Sequence, residues 1–199
     1  MPLLNDTKEI KYLPPLNKVS SGALAHLALL SAYAAVRHDE GAALVGGAAR
    51  DLYQQVMPRD IDLGFWSISD DRFLKVAGEL EGRLGATWCE ECDSYGDADT
   101  PFDRVVKLKG CKLLDNQDVD LLLYNCQTMG QVLDTFDYTL NQIGLAYVWS
   151  DPDDAPRLTA RIHKDVEWGV NRAIRGGPRT EERAQRMLAL TEQYGWENK

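Results

Sequence analysis

Apolar and polar positions along the chain change period several times, and each change marks an element. Residues 1–20 show no regular pattern. Pro14-Pro15 cannot sit inside a helix, so this stretch reads as an irregular arm. Ser20 or Ser21 can cap a helix running to about His38. Its Leu24, Leu27, Ala28, Leu30, Ala34 and Ala35 surround much of the axis, which predicts a well-buried helix. Ala42-Ala43-Leu44-Val45 is a short apolar run broken by Gly46-Gly47, the pattern of a buried strand entering a glycine turn. Residues 48–56 have helical character and Pro58 ends them. From Asp60 to Phe65 polar and apolar residues alternate as in a strand.

Asp70 can cap a helix through about Leu84, with Phe73, Leu74, Ala77, Leu80 and Leu84 near helical spacing. Residues 86–101 read as an acidic loop. Val105–Leu108 and the more apolar Asp118–Tyr124 predict strands, and 127–134 a short helix. Residues 139–149 fit either helix or strand. The β-rich Tyr147-Val148-Trp149 and the turn Asp151-Pro152-Asp153-Asp154 favour a hairpin. Residues 160–195 read as two helices around Gly176-Gly177-Pro178. Interleaved strands and helices predict an α/β (α+β) fold with a mixed sheet.

Charge narrows the functions. The 199 residues carry 22 Lys or Arg and 31 Asp or Glu, a net charge of −9. That balance argues against a general nucleic-acid coat or a polybasic membrane-surface protein. It leaves room for a site that holds phosphates through metal ions, because such a site needs carboxylates. By segment the charge is +1 over 1–21, −2 over 22–65, −8 over 66–138 and zero over 139–199. Residues 157–186 nevertheless hold eight Lys or Arg against four acids. These are Arg157, Arg161, Lys164, Arg172, Arg175, Arg179, Arg183 and Arg186, either a contact surface for a triphosphate or polyanionic acceptor or a solvated face. No run of 18 apolar residues is present, and the N-terminus lacks the basic start and apolar run of a signal peptide. The expected location is cytoplasmic, with Cys89, Cys92, Cys111 and Cys126 as free thiols rather than disulfides or a zinc site. Trp149, Trp168 and Trp196 read as packing anchors.

The chemistry concentrates in Gly46-Gly47, Arg50-Asp51, Asp60-x-Asp62 and Asp118-x-Asp120. Two glycines after a strand let backbone amides approach an anion, and the helix that follows adds its dipole. Asp60 and Asp62 leave one face of their strand, as do Asp118 and Asp120 of theirs. A lone Asp-x-Asp reads as a surface strand edge. Two such pairs beyond a glycine turn point to divalent cations between them. Mg²⁺ accepts carboxylate and phosphate oxygens, and two ions about 3.5–4 Å apart can clamp attacking and leaving oxygens.

The segment GGAARDLYQQVMPRDIDL resembles the signature of class II nucleotidyltransferases, the bacterial poly(A) polymerases and CCA-adding enzymes of the polymerase β superfamily. Val119-Asp120-Leu121 is similar to their third-carboxylate strand. Phe136-Asp137-Tyr138-Thr139-Leu140-Asn141 is similar to an Arg-Asp-Phe-Thr-x-Asn segment that lines the nucleotide sugar, with Phe136 in place of the Arg. Arg183-x-x-Arg186 followed by Tyr194-Gly195-Trp196 is similar to their first neck helix. The family's base-selecting acids align with Arg179 and Thr180, with Glu181 and Glu182 displaced.

The resemblance spans about residues 42–196 and implies a minimal form without the RNA-gripping body and tail. It implies an N-terminal arm over 1–20, a nucleotidyltransferase head over 21–159 and a C-terminal helical neck-like segment over 160–199. It further implies transfer of NMP from an NTP to an acceptor hydroxyl, with release of pyrophosphate. Gly46, Gly47, Arg50, Asp137, Asn141, Arg183 and Arg186 would bind the nucleotide. Asp60, Asp62 and Asp120 would be catalytic, and with Asp118 as an alternate they would hold two Mg²⁺ ions, or Mn²⁺. The acceptor is open between an RNA 3′ end, a protein and a small molecule. The other readings are a non-catalytic nucleotide-binding regulatory module and a toxin or antitoxin component of the same fold.

Overall fold

The computed structural model describes residues 2–10, 20–56, 58–93, 101–148, 156–174 and 181–199. In chain order the elements are β1 (Thr7–Glu9), α1 (Ser20–Ala35), β2 (Gly41–Val45), α2 (Gly46–Tyr53), β3 (Ile61–Trp66), α3 (Asp70–Leu84), β4 (Trp88–Asp93) and β5 (Phe102–Cys111). They continue with β6 (Gln117–Tyr124), α4 (Met129–Leu133), β7 (Ile143–Val148), β8 (Arg157–His163), β9 (Val170–Asn171), α5 (Glu181–Gln193) and β10 (Glu197–Asn198). Eight strands form one sheet in the order β1-β8-β7-β2-β3-β6-β5-β4, and β9 and β10 form a small parallel pair. The large sheet is mixed: β3 and β6 are parallel and its other pairs antiparallel. The predicted α/β class with a mixed, helix-flanked sheet is the fold observed.

Alternation sends each strand's side chains to two faces. Leu44, Leu63, Phe65, Leu108, Leu121 and Ile162 join the core that includes Ala25, Leu29 and Ala32 of α1 and Phe73, Val76 and Leu80 of α3. Ala43, Val45, Trp66, Val105, Leu122 and Tyr124 join a second core with Met129, Val132 and Leu133. The helix α1 is buried along a stripe, Ala25, Ala28, Leu29, Ala32 and Ala35, rather than all round; Leu30 is 44 % exposed. Small alanines at that spacing let the helix lie close to the sheet. Ser69, not Asp70, caps α3 by accepting from the Arg72 amide, while Asp70 pairs with Arg104. Gly85 ends α3 in the left-handed conformation.

The structure departs from the sequence pattern in further segments as well. Residues 88–93, expected in a loop, form edge strand β4. The segment 160–195, expected as two helices, begins inside β8 and among its described residues contains one helix, α5. Strand β8 runs across the head–neck division at 159/160, and β1 ties the N-terminal arm to β8. Strands β7 and β8 form the favoured hairpin. Its turn Asp151–Asp154, Trp149, Pro14-Pro15, Arg175, Arg179, Thr180 and the Gly176-Gly177-Pro178 break lie outside the described residues. Among the described residues no helix is long and apolar enough to cross a membrane.

Candidate active site

The site begins where β2 ends. Gly46 has φ +60°, a conformation costly for any residue with a Cβ. A Cβ placed there would also lie 2.6 Å from the Phe136 ring. Phe136 therefore forms a wall against the glycine turn. The requirement at Gly47 is milder, since its added Cβ would meet only Arg50 Nη2, at 3.6 Å. Val45 precedes α2 without a side-chain cap. The first amides of α2 thus take no acceptor from the cap residue.

Two strand registers deliver the carboxylates. In the parallel pair Asp62 faces Asp120, and in the antiparallel pair Asp120 faces Lys107. The Lys107 ammonium lies 3.5 Å from Asp120. Asp60, just before β3, is exposed and pairs with Arg59 at 2.7 Å. Desolvation, then the charges of Asp120 and Asp60, push the Asp62 carboxyl up to about 7. Asp118 accepts from Lys109 Nζ at 2.8 Å and from the Gly110 amide at 2.9 Å, which holds its pKa below the usual carboxylate value. Asp118 is thereby bound into the strand edge. A cleft of about 580 Å³ opens here, lined by Arg59, Asp60, Lys107, Lys109, Asp118 and Asp120 among others.

Carboxylate oxygens are the donors that Mg²⁺ and Mn²⁺ prefer, and the mutual repulsion at Asp62 is what a cation would relieve. By donor chemistry Asp60, Asp62 and Asp120 fit a divalent ion. Among the described residues, however, no three His, Cys, Asp or Glu side chains converge closely enough to hold a metal ion. Asp60 is turned to Arg59, and Asp120 lies beside Lys107.

The other expected site residues are knit to one another. Arg50 is 2 % exposed. Its Nε donates to Asp51 at 2.7 Å and its Nη1 to Asn141 at 2.6 Å. Nη2 makes no well-aligned hydrogen bond but lies 2.6 Å from Asp51 Oδ1. Tyr194 donates its hydroxyl to Asp51 at 2.9 Å, and its ring lies under the Arg50 guanidinium. Asp137 accepts a bidentate pair from Arg183 at 2.5 and 2.7 Å. Tyr138, Leu140 and Met187 form a small core that seats α5 on the 139–141 turn. Arg50, Asp137, Asn141 and Arg183 thus position α2 and α5. Arg186 is exposed, and its pKa is lowered by desolvation and by the nearby Arg59 and Arg50 charges.

The sequence assigns no site role to Lys107, Arg59, Asp51 or Tyr194, although Asp51 and Tyr194 stand within the motifs it shows. Asp51 carried a signal in its place beside Arg50. Lys107 carried none, because its position depends on strand register. Trp168 stacks edge-on with Tyr53 and Trp196 and acts as a packing anchor.

No family model matches the chain, and no curated protein matches its sequence. Solved structures do match. A CCA-adding enzyme with ATP aligns with TM-score 0.57 and 17 % identity over 98 % of this chain and 43 % of its own. The fold is nucleotidyltransferase-like. The Thermotoga maritima CCA-adding enzyme with tRNA aligns with TM-score 0.55 and 18 % identity, over 86 % of this chain and 37 % of that one. A tRNA-processing enzyme in its apo form gives 0.53 and 17 %, over 96 % and 46 %. The chain spans less than half the length of each of these proteins. At this identity the likeness concerns the nucleotidyltransferase-like fold alone.

Proposed function

We propose that the chain is a divalent-cation-dependent nucleotidyltransferase that moves NMP from an NTP to an acceptor hydroxyl. The observation that carries this is the Asp62–Asp120 register pair beside the Gly46-Gly47 turn. The glycine-turn amides and Arg186 hold the triphosphate. Arg50, Asp51, Asn141, Asp137 and Arg183 fix the turn and α5 around it. Asp60, Asp62 and Asp120 hold the cation, which when bound supplies positive charge to the reacting phosphoryl oxygens. The acceptor oxygen forms a bond to the α-phosphorus as the bond to the bridging oxygen breaks and pyrophosphate leaves. Asp120 takes the hydroxyl proton. Positioning and electrostatics carry the catalysis.

RNA is the proposed acceptor, supported by neighbours of this fold solved with ATP, CTP and tRNA. Incubation with Mg²⁺, each labelled NTP and total RNA should yield labelled RNA. The Asp60→Ala, Asp62→Ala double variant should lose the product by at least a hundredfold. Label on a protein or small-molecule fraction instead would move the acceptor and keep the chemistry. One observation favours a non-catalytic nucleotide-binding module: Arg50, Asp137 and Asn141 already satisfy one another or Arg183. Metal-dependent NTP binding by calorimetry, without turnover on any acceptor, is its signature.

A further inference from the structure

Strand β4 is an edge of the large sheet and carries Trp88, a tryptophan 50 % exposed. Register fixes what lies beside it. Trp88 faces Lys109 on β5, and Lys107 of β5 faces Asp120 on β6. Register partners share a face of the sheet, and so do residues two apart on one strand. Leu108, between the lysines, and Cys89, next to Trp88, belong to the core shared with α1 and α3. Trp88, Lys109, Lys107 and Asp120 therefore project together from the opposite face. They make a continuous path from the candidate site to the sheet edge, with the two lysines about 7 Å apart along β5. Both lysines and Arg59 line the cleft that contains Asp120.

We infer that this path receives the acceptor as a single-stranded nucleic-acid end. Its 3′ hydroxyl lies at Asp120, the adjoining phosphates at Lys107 and Lys109, and one base stacks on Trp88. This rests on the nucleotidyl-transfer reading and adds to it the surface that holds the acceptor. Lysines contact phosphates without regard to sequence, and an exposed indole accepts the face of any base. Bases stacked within a duplex have no free face to offer, so the path selects single strands. Lys109 gives one of the three donors of its ammonium to Asp118, which holds it at the cleft and leaves donors for a phosphate oxygen. Asp118 and Asp120 compete with phosphate for the two lysines, and the chain carries −9 overall. The contact is accordingly short and weak, two phosphates and one base rather than a long coat.

Fluorescence anisotropy of the full chain with a fluorescein-labelled single-stranded RNA of about twelve nucleotides tests this. Binding is read between about 50 and 200 mM salt, where two phosphate contacts give a logarithmic salt slope of about 1.4. Lys107→Gln and Lys109→Gln should each lower that slope by about 0.7. Trp88→Ala should weaken binding about fivefold or more with the slope kept, and Trp88→Phe should weaken it less. Lys75→Gln, the same charge change on the exposed side of α3, should alter neither. No binding at about 100 µM chain overturns the inference, as does equal binding of a blunt duplex. Wild-type affinity in both Trp88→Ala and Lys109→Gln overturns it as well. Label transfer from NTP is measured on the same preparations. Transfer to RNA that ignores Trp88→Ala and Lys109→Gln removes the path and keeps the chemistry, as does transfer to a protein or small molecule. Strand binding with the expected pattern but no transfer from any NTP supports the surface and removes the transfer reading.

Discussion

Asp62 shows what the residue scale contributes. Its carboxyl is pushed up to about 7, above an ordinary value of 3.8, first by desolvation and then by Asp120 and Asp60. A raised carboxylate favours the folded chain only while protonated. Stability is therefore lost as pH rises from about 4 through 7, by at most about 4 kcal/mol. Asp62→Asn should raise metal-free stability, by little near pH 4 and by a plateau value above pH 7. Urea denaturation across that pH range checks it, and a pH-independent effect would contradict it. Mg²⁺ should raise the wild-type Tm at pH 8 and leave that of Asp62→Asn nearly unchanged. Gly46 is the second case. Gly46→Ala combines a left-handed backbone costing about 1–2 kcal/mol with a Cβ that meets the Phe136 ring at 2.6 Å. Adding Phe136→Ala should recover the steric part and leave the backbone part, read as a shift in the denaturation midpoint.

Elements are held around the site by a buried ion pair rather than by apolar packing alone. Arg50 joins α2 to Asn141 and, through Asp51, to Tyr194 just beyond α5. Arg50→Met should cost about 3–5 kcal/mol, because it leaves Asp51 buried without its cation. Arg50→Met with Asp51→Leu should cost less than Arg50→Met alone, which a double-mutant cycle in denaturant measures.

The elements also show what a local pattern can and cannot carry. Strand β2 was legible as an apolar run buried on both faces, and β3 and β6 because apolar residues alternate with the aspartates near their starts. Strand β4 was not, because in the sequence Glu90, Glu91 and Asp93 read as a solvent-facing loop. Strand β8 was masked by Arg157 and Arg161, although Leu158, Ala160 and Ile162 alternate with them toward the core. The sequence placed Arg50 at the site but could not show that it points inward, since that direction is set by Asn141, 91 residues away, and by Tyr194. Lys107 was invisible for the same reason.

On the scale of the whole molecule, the net charge of −9 and the carboxylate site no longer stand in opposition. Ion pairs offset part of the charge of Asp60, Asp118 and Asp120 at the cleft, and the proposed cation would offset the rest together with that of Asp62. The sheet sets this up by running β3 and β6 parallel, so that both bring an aspartate to the same end, beside the turn where antiparallel β2 gives way to α2. The central claim is transfer of the α-phosphoryl nucleotide, and position-specific labelling tests it most directly. NTP labelled at the α-phosphate or at the γ-phosphate is incubated with the chain, Mg²⁺ and total RNA. The account predicts α-label on RNA, γ-label released as pyrophosphate, and neither with Asp60→Ala, Asp62→Ala. Transfer of the γ-label, or equal α-label transfer by the double variant, would contradict it.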